Sequence, residues 1–586
     1  MWRSGPARAR LWGRPARTAD LDGVNTPHPP EPGVLFALAR GLGVGGVNVW
    51  AMRLARLLAR GCADVAPRPV TILAHPEEPD HAPMDTWLWP GLRIVRMVEG
   101  RVPRIDECNG DLSAYLPTYR HEAERLLALT GLPPVLVPGL HGDCFGCCAE
   151  LTRYMGDRVR VLGVCHSSIP YDRVVISRYE RILSAIVGVS DEIERSLRAA
   201  LPDRAPPHAP PHAPPHTPAQ IVNLPHGVES PASAPRRKPG PASARPLRLV
   251  YTGRMEHGLK RVAALVHLSI ELDRRSIEHQ LVLVGDGPAS ADIDRLLERA
   301  PSATRSPAVS PALIPTILRE ADLFVLASRV EGLSVSMLEA MAQGCVPVCT
   351  PTRSGASQLV TPGITGEIAD IADPEGASDE DVASALADAV ERVLRGKGER
   401  SIAALGERAW ALVQQRYTAE GQARAFARIA RAVAAAPPRW WPASEPCAFS
   451  GVHGCGAVPK DAGERIARVL RRLAGLRVAI HGVGAHTLAL EHAIRGRPEV
   501  VGFTDDDPAR HGSTLWGLPI VAPVGAGPSG TAGAPGLNAT DIVISSWMHE
   551  DDIWARRGVY EGRGLRVHRI YGSRTEALTH RASASA

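Results

Sequence analysis

One unit recurs along this chain and limits what it can fold into: a short apolar run, a glycine-bearing turn, then a segment with helical spacing. It opens with GVLFALA (33–39), followed by RGLGVGGVNVW, the helical AMRLARLLAR and the strand-like VTILAHP. It returns as LRLVYTGR (247–254), RVAALVHLSIEL, HQLVLVGDGP (279–288) and DIDRLLERA, and a third time as RVAIHGVGAHT (477–487) and EVVGFTDDDP (499–508). PPVLVPG (133–139), VRVLGVCHS (159–167) and SAIVGVS (184–190) supply further strands, and Ser190 caps the helix DEIERSLRAAL. Strands separated by helices cannot pair as hairpins. They are expected to lie parallel in α/β sheets covered by helices on both faces.

Four stretches interrupt the cycles. The Pro/His repeat DRAPPHAPPHAPPHTPAQ (203–220) cannot enter a helix or a central strand and reads as an exposed insertion. ESPASAPRRKPGPASARP (229–246) and AAPPRWWPASEP (435–446) read as linkers, and PVGAGPSGTAGAPG (523–536) as a loop in the last domain. The expected division is a disordered tail at 1–30, a first Rossmann-like domain at 31–228 and a linker at 229–246. A second domain follows at 247–416, then a helix at 417–436, a linker at 437–460 and a third small Rossmann-like domain at 461–580.

With 586 residues, 44% hydrophobic and 22% charged, the chain has apolar matter for several cores. The net charge of +5 gives no basic stripe, which argues against a nucleic-acid partner. No apolar run approaches the roughly 20 residues of a membrane-spanning helix. Arg3, Arg8, Arg10, Arg14 and Arg17 are followed by no apolar stretch, so the start does not read as a secretory signal. Ten irregularly spaced cysteines suit a reducing cytoplasm. His141, Cys144, Cys147 and Cys148 could ligate zinc, but their spacing leaves little chain to wrap a tetrahedral ion, and buried thiols at a helix start are expected.

The segment richest in chemistry is EGLSVSMLEAMAQGCVPV (331–348), which follows an apolar strand directly. Glu331 then lies at the strand's carboxyl end, where α/β proteins build ligand sites. A helix starting near Ser334 carries Glu339 in its second turn, and the amides of Gly332, Leu333 and Ser334 form an anion or polyol site at its N-terminus.

In this context the sequence resembles glycosyltransferase family 4, retaining enzymes of the GT-B fold that use nucleotide sugars, over about residues 33–435. The resemblance implies two tandem Rossmann-like domains facing each other across a cleft. YTGRMEHGLK (251–260) is similar to the family's Gly-Arg…Lys segment, which implies that Arg254 and Lys260 hold the donor diphosphate. Only four of the 67 basic residues are lysines, which gives Lys260 weight of its own. By the same resemblance Glu339 accepts the ribose hydroxyls and Glu331 faces the donor sugar. Gly45 and Gly46 correspond to the family's glycine loop near the donor phosphates, and His166 in GVCHSSIPYD contacts the reacting sugar, with Asp172 a weaker companion. IVNLPHGVES (221–230) matches the segment leading out of the first domain, although His226 stands where the family usually has asparagine.

Chemically the set is coherent. Breaking the bond from the anomeric carbon to the diphosphate builds negative charge on the leaving oxygen; an arginine fork and a lysine point charge can meet it without a metal, and no cofactor is expected. No carboxylate qualifies as a double-displacement nucleophile. The family's front-face reading, in which the departing phosphate takes the acceptor's proton, leaves the protein to position and to stabilise charge. The expected partners are a nucleotide sugar and a glycan, lipid-linked or small-molecule acceptor; a lipid-linked one would bring a cytoplasmic protein to the inner face of the membrane. The competing reading is a non-catalytic nucleotide-sugar-binding scaffold.

In residues 461–580, GFTDDDPARHGSTLWGLPI and ATDIVISSWMHEDDI resemble the small Rossmann-like domain of bacterial sugar acetyltransferases or the similar tail of some sugar methyltransferases. Gly482, Gly484 and Asp505 roughly fit a dinucleotide fingerprint, and ligand binding and a purely structural role both stay open. An NAD-dependent oxidoreductase seated on this domain would leave two-thirds of the chain without a role.

Overall fold

The computed structural model describes residues 30–39, 41–43, 45–62, 64–76, 92–97, 102–105, 108, 110–139, 141–201, 218–235, 245–352, 355–374, 376–449, 462–506, 510–523, 536–546 and 550–571. All but the last residue of the expected tail at 1–30, most of the Pro/His insertion and most of the loop at 523–536 lie outside them.

Three sheets organise the chain. The first has seven parallel strands in the order Leu92–Arg96, Val70–Ala74, Val34–Leu38, Val135–Val137, Arg160–Cys165, Leu183–Gly188 and Gln220–Asn223. The second has six, ordered Ala303–Ser306, His279–Val284, Leu247–Thr252, Leu323–Leu326, Val346–Cys349 and Glu367–Ile368. The third is ordered Thr514–Leu515, Leu518–Val521, Val500–Thr504, Val478–His481, Asp541–Ile544 and Arg566–His568, parallel except at its first edge strand. Central strands such as Val34–Leu38 are buried at every position, as continuous Val/Leu/Ile runs covered on both faces must be. The first two sheets share one hydrophobic core, while the third has cores of its own.

Two local departures from the sequence pattern have physical causes. The helix expected at AMRLARLLAR begins earlier, at Gly46, and runs to Arg60, so that Gly45 is its N-cap. Asn48 Nδ2 donates to the carbonyls of Gly41 and Gly43 at 3.2 and 2.8 Å, fixing the turn that feeds the helix. The Ser/Pro/Ala stretch 303–316, which has no periodicity, contains the edge strand Ala303–Ser306 and leads into the helix Ile314–Glu320. The strand forms because His279–Val284 offers it a parallel partner, a long-range fact that no local pattern carries.

The chain passes between the first two domains twice at one place. Val228 N donates to Tyr417 O and Ala419 N to Val228 O, both at 2.9 Å, and a Cβ on Gly227 would lie 2.5 Å from Thr418 O. The helix Ala419–Ala435 then returns to the first domain, where Phe426 stacks on Phe36 at 5.7 Å.

Residues 437–449, expected as part of a linker, are instead strapped onto the first domain. Trp441, Cys447 and Phe449 are buried, Phe449 N donates to Asp143 Oδ1 at 2.8 Å, and Tyr179 Oη donates to Cys447 O at 2.7 Å. Trp441 and Phe449 give the strap its apolar contacts, and Gly142 makes room, since a Cβ there would lie 2.2 Å from the Phe449 ring. Among the described residues no helix is long and apolar enough to cross a membrane.

Candidate active site

The site grows from the carboxyl ends of the strands in the first two sheets. In the second domain the loop after Leu247–Thr252 carries Arg254 and Lys260, and the loop after Leu323–Leu326 carries Glu331. The structure brings two of these together: Lys260 Nζ donates to Glu331 Oε1 at 2.7 Å, and Ser328 Oγ donates to the same oxygen at 2.6 Å. The Arg254 backbone is fixed beside them, its carbonyl accepting from Tyr251 Oη at 3.0 Å. Close approach of two neighbouring turns needs glycine here, because a Cβ on Gly285 would lie 1.9 Å from Gly253 O and one on Gly287 2.3 Å from Met255 O.

Ser334 caps the helix Val335–Ala342, its Oγ accepting from Met337 N at 3.3 Å, and Glu339 projects from the second turn. Glu339 is met by a residue that the sequence pattern did not single out: Arg53, from the helix Gly46–Arg60 of the first domain, donates through Nη2 to Glu339 and through Nη1 to Gly227 O. One guanidinium therefore joins the first domain, the segment leading out of it and the second domain. An arginine among 63 offers no local signal of such a role.

Several expected site residues are enclosed. Gly332 and Leu333 are buried, and a Cβ on Gly332 would lie 1.8 Å from the carbonyl oxygen of His166, so this part of the motif packs on the first domain's backbone. His166 is itself buried, with its ring 4.5 Å from Trp50 at 75° and 5.5 Å from His226 at 14°. Burial holds both imidazoles in the neutral form, His226 down to about 3, helped by the neighbouring Arg53 cation. Asp172 accepts from Ser167 N and Oγ at 3.1 and 2.8 Å, and burial lifts its carboxyl to about 7 against those bonds. Gly45 and Gly46 are different: a Cβ on either would meet nothing within 4 Å.

Residues 246–396, which carry Arg254, Lys260, Glu331 and Glu339, match the family described as Glycosyl transferases group 1. The solved sucrose-phosphate synthase from Thermosynechococcus elongatus superposes with a TM-score of 0.51 at 18% identity, covering 68% of this chain and 98% of that one. The fold is GT-B. The chain is also 32% identical over 149 residues to the alpha-D-kanosaminyltransferase of Streptomyces kanamyceticus, covering 25% of this chain and 36% of that one. It is 36% identical over 95 residues to EpsF of Bacillus subtilis (strain 168), covering 15% and 23%. The chain thus spans about a third or less of the length of these curated relatives.

Within this GT-B frame the first domain's polar groups sit at the carboxyl ends of its strands. His75, which follows Val70–Ala74, bonds through Nε2 to Tyr119 Oη at 2.9 Å; burial pushes its pKa down to about 3. The cysteines beside it are buried thiols: Cys144 lies 3.9 Å from His75 Nε2 and is pushed up to about 12, and the same desolvation raises Cys147 and Cys148 well above the ordinary thiol range. His141 caps their helix, its Nδ1 accepting from Asp143 N at 3.3 Å.

In the third domain Gly482 adopts φ +99°, and Gly484 precedes the short helix Ala485–Ala489. Asp505 Oδ2 accepts from Val483 N, between the two glycines, at 2.8 Å, so the three fingerprint residues do converge. They are joined by Thr487 Oγ1, donating to Gly482 O at 2.6 Å, and by His486, whose ring nitrogens reach Ser545 Oγ at 3.1 Å and Tyr571 Oη at 2.6 Å.

Proposed function

We propose that this chain is a retaining glycosyltransferase that moves a sugar from a nucleoside diphosphate to a glycan, lipid-linked or small-molecule acceptor. The observation that carries the reading is the Lys260–Glu331 pair, at the mouth of the second sheet inside the segment that matches the group 1 glycosyltransferases.

On this reading Lys260 leaves its carboxylate partner to meet the donor diphosphate, together with the guanidinium of Arg254. Glu331 turns to the sugar that has taken its place, and Glu339, aimed by Arg53, accepts the ribose hydroxyls. As the bond from the anomeric carbon to the diphosphate oxygen breaks, the two cations stabilise the charge that develops there. The acceptor oxygen bonds to the same face of that carbon, and its proton passes to the departing phosphate. The electrostatics call for no metal. The third domain, with Gly482, Gly484 and Asp505 brought together, adds a candidate ligand site of its own.

The test is a thermal-shift screen against UDP-, GDP-, ADP- and dTDP-sugars, with NAD and NADH beside them. The NMR anomeric configuration of the product is then read with the stabilising donor. A saturating donor at a hundredfold its Kd stabilises by about 2.7 kcal/mol. Stabilisation by one nucleotide sugar that Lys260→Ala abolishes supports the reading; a response to NADH alone overturns it.

A further inference from the structure

Besides His75 Nδ1, the described residues of the first domain bury three ring nitrogens that have no hydrogen-bond partner in the fold, and these belong to neighbouring side chains. They are Trp50 Nε1, His166 Nδ1 and His226 Nδ1. Trp50, His166 and His226 are 3%, 8% and 4% exposed, and every pair of rings is in contact: 4.5 Å between Trp50 and His166, 6.0 Å between Trp50 and His226, 5.5 Å between the two imidazoles. Buried polar groups are nearly always satisfied, so each unsatisfied one calls for an explanation such as a catalytic role or a partner supplied from outside the chain. Three in one aromatic cluster are hard to assign to packing alone, because apolar rings of the same shape would pack without leaving polar atoms unpaired.

The chemistry of the cluster selects its ligand. Burial keeps both imidazoles neutral, so each ring offers one donor and one acceptor, while the indole offers a donor. The nearby cation, Arg53, is already committed to Glu339 and to Gly227 O. The cluster therefore suits neutral groups that both give and take hydrogen bonds, which is the character of sugar hydroxyls and not of a phosphate. Its position favours the donor's sugar over the acceptor's, because His166 O packs directly on Gly332, the residue after Glu331.

We infer that His226 is a second sugar-reading residue, which works with His166 and Trp50 to recognise hydroxyls of the donor sugar. This rests on the glycosyltransferase reading above. It assigns a role to the position where the chain departs from the family's usual asparagine.

The experiment compares free nucleoside diphosphate with the matching nucleotide sugar, by calorimetry on the full chain, for the wild type, His226→Phe and His226→Asn. Phenylalanine keeps the ring contacts and removes both nitrogens; asparagine keeps a donor and an acceptor. The expected result is that His226→Phe weakens the nucleotide sugar about tenfold while free nucleotide stays within about twofold, and that His226→Asn recovers part of the loss. Equal weakening of both ligands, or an unchanged ratio, overturns the inference and leaves the glycosyltransferase reading intact. If His226→Phe does not fold, the ratio for His226→Asn decides: a change supports a sugar-reading role and an unchanged ratio overturns it. Failure of the wild type to bind any nucleotide overturns the broader reading, and this inference with it.

Discussion

Gly332 and His166 touch across the two domains so closely that a single added carbon would not fit: a Cβ on Gly332 would lie 1.8 Å from the His166 carbonyl oxygen. Both atoms are held by backbone, so the clash cannot be relieved by a rotamer change. Gly332→Ala is expected to keep the domains from closing and to lower kcat by about a hundredfold, because misplacement of the reacting groups by about an ångström costs that much. The mutant should bind free nucleotide normally and show a larger radius of gyration by small-angle scattering. Unchanged kcat would show that the contact is not made during turnover.

Lys260 and Glu331 are linked at 2.7 Å, with the lysine side chain 29% and the glutamate 10% exposed. A pair open to solvent on one side contributes little to stability, about 0–1 kcal/mol. Lys260→Ala should therefore leave Tm almost unchanged while lowering kcat by about 10²–10³, the cost of losing one charge-stabilising donor. Retention of activity within about twofold at saturating donor would remove Lys260 from the reaction.

Arg53 acts through Glu339, so its loss should be read mainly in donor binding. Arg53→Met is expected to raise KM for the nucleotide sugar about tenfold with a smaller change in kcat, since Glu339 loses its orienting partner but keeps its place on the helix. Steady-state kinetics on Arg53→Met, Glu339→Gln and the double variant check this, because the double variant should be no worse than the worse single one.

Asp172 gives the site a pH signature in stability. Its carboxyl is lifted by burial from an ordinary value of 3.8 to about 7, so between those limits the folded chain holds a proton that the unfolded chain has released. Its contribution is therefore fully present below about pH 4 and is lost as the pH rises through about 7. Asp172→Asn, which keeps an oxygen for Ser167 N and Oγ, should raise Tm at pH 8.5 by about 2–4 °C and do nothing well below the unfolded carboxyl's pKa, at about pH 3. A gain of equal size at both pH values would show that ionisation is not its cause.

The strap 437–449 should count in stability as core. A chain ending at Phe449 is expected to melt as a folded GT-B unit, whereas one ending at Ala436 exposes the surface under Trp441 and Phe449 and leaves Asp143 without an amide partner. Each buried aromatic contributes about 1.5–3 kcal/mol, so the shorter chain should lose several degrees of Tm or aggregate. Equal melting of the two chains would return the segment to the status of a linker.

The alternation of apolar runs with helical segments was enough to determine the parallel α/β architecture, because period and length are local properties and strands buried on both faces admit little else. In the second domain Arg254 and Lys260 lie on one turn, and Glu331, Ser334 and Glu339 on the turn and helix after a neighbouring strand, so sequence spacing nearly fixes the geometry within each segment, while the pairing of the two strands brings the segments together. Tertiary structure alone decided which residues face them. Arg53 is 286 positions from Glu339, and His226 is 60 from His166; their meeting depends on how two domains close and on where the chain crosses between them at Val228 and Thr418. It also decided that a proline-rich segment with no periodicity would strap onto the first domain. Burial of Trp441 and Phe449 needs a surface whose shape is built by Gly142 and Tyr179, almost 300 residues earlier in the chain.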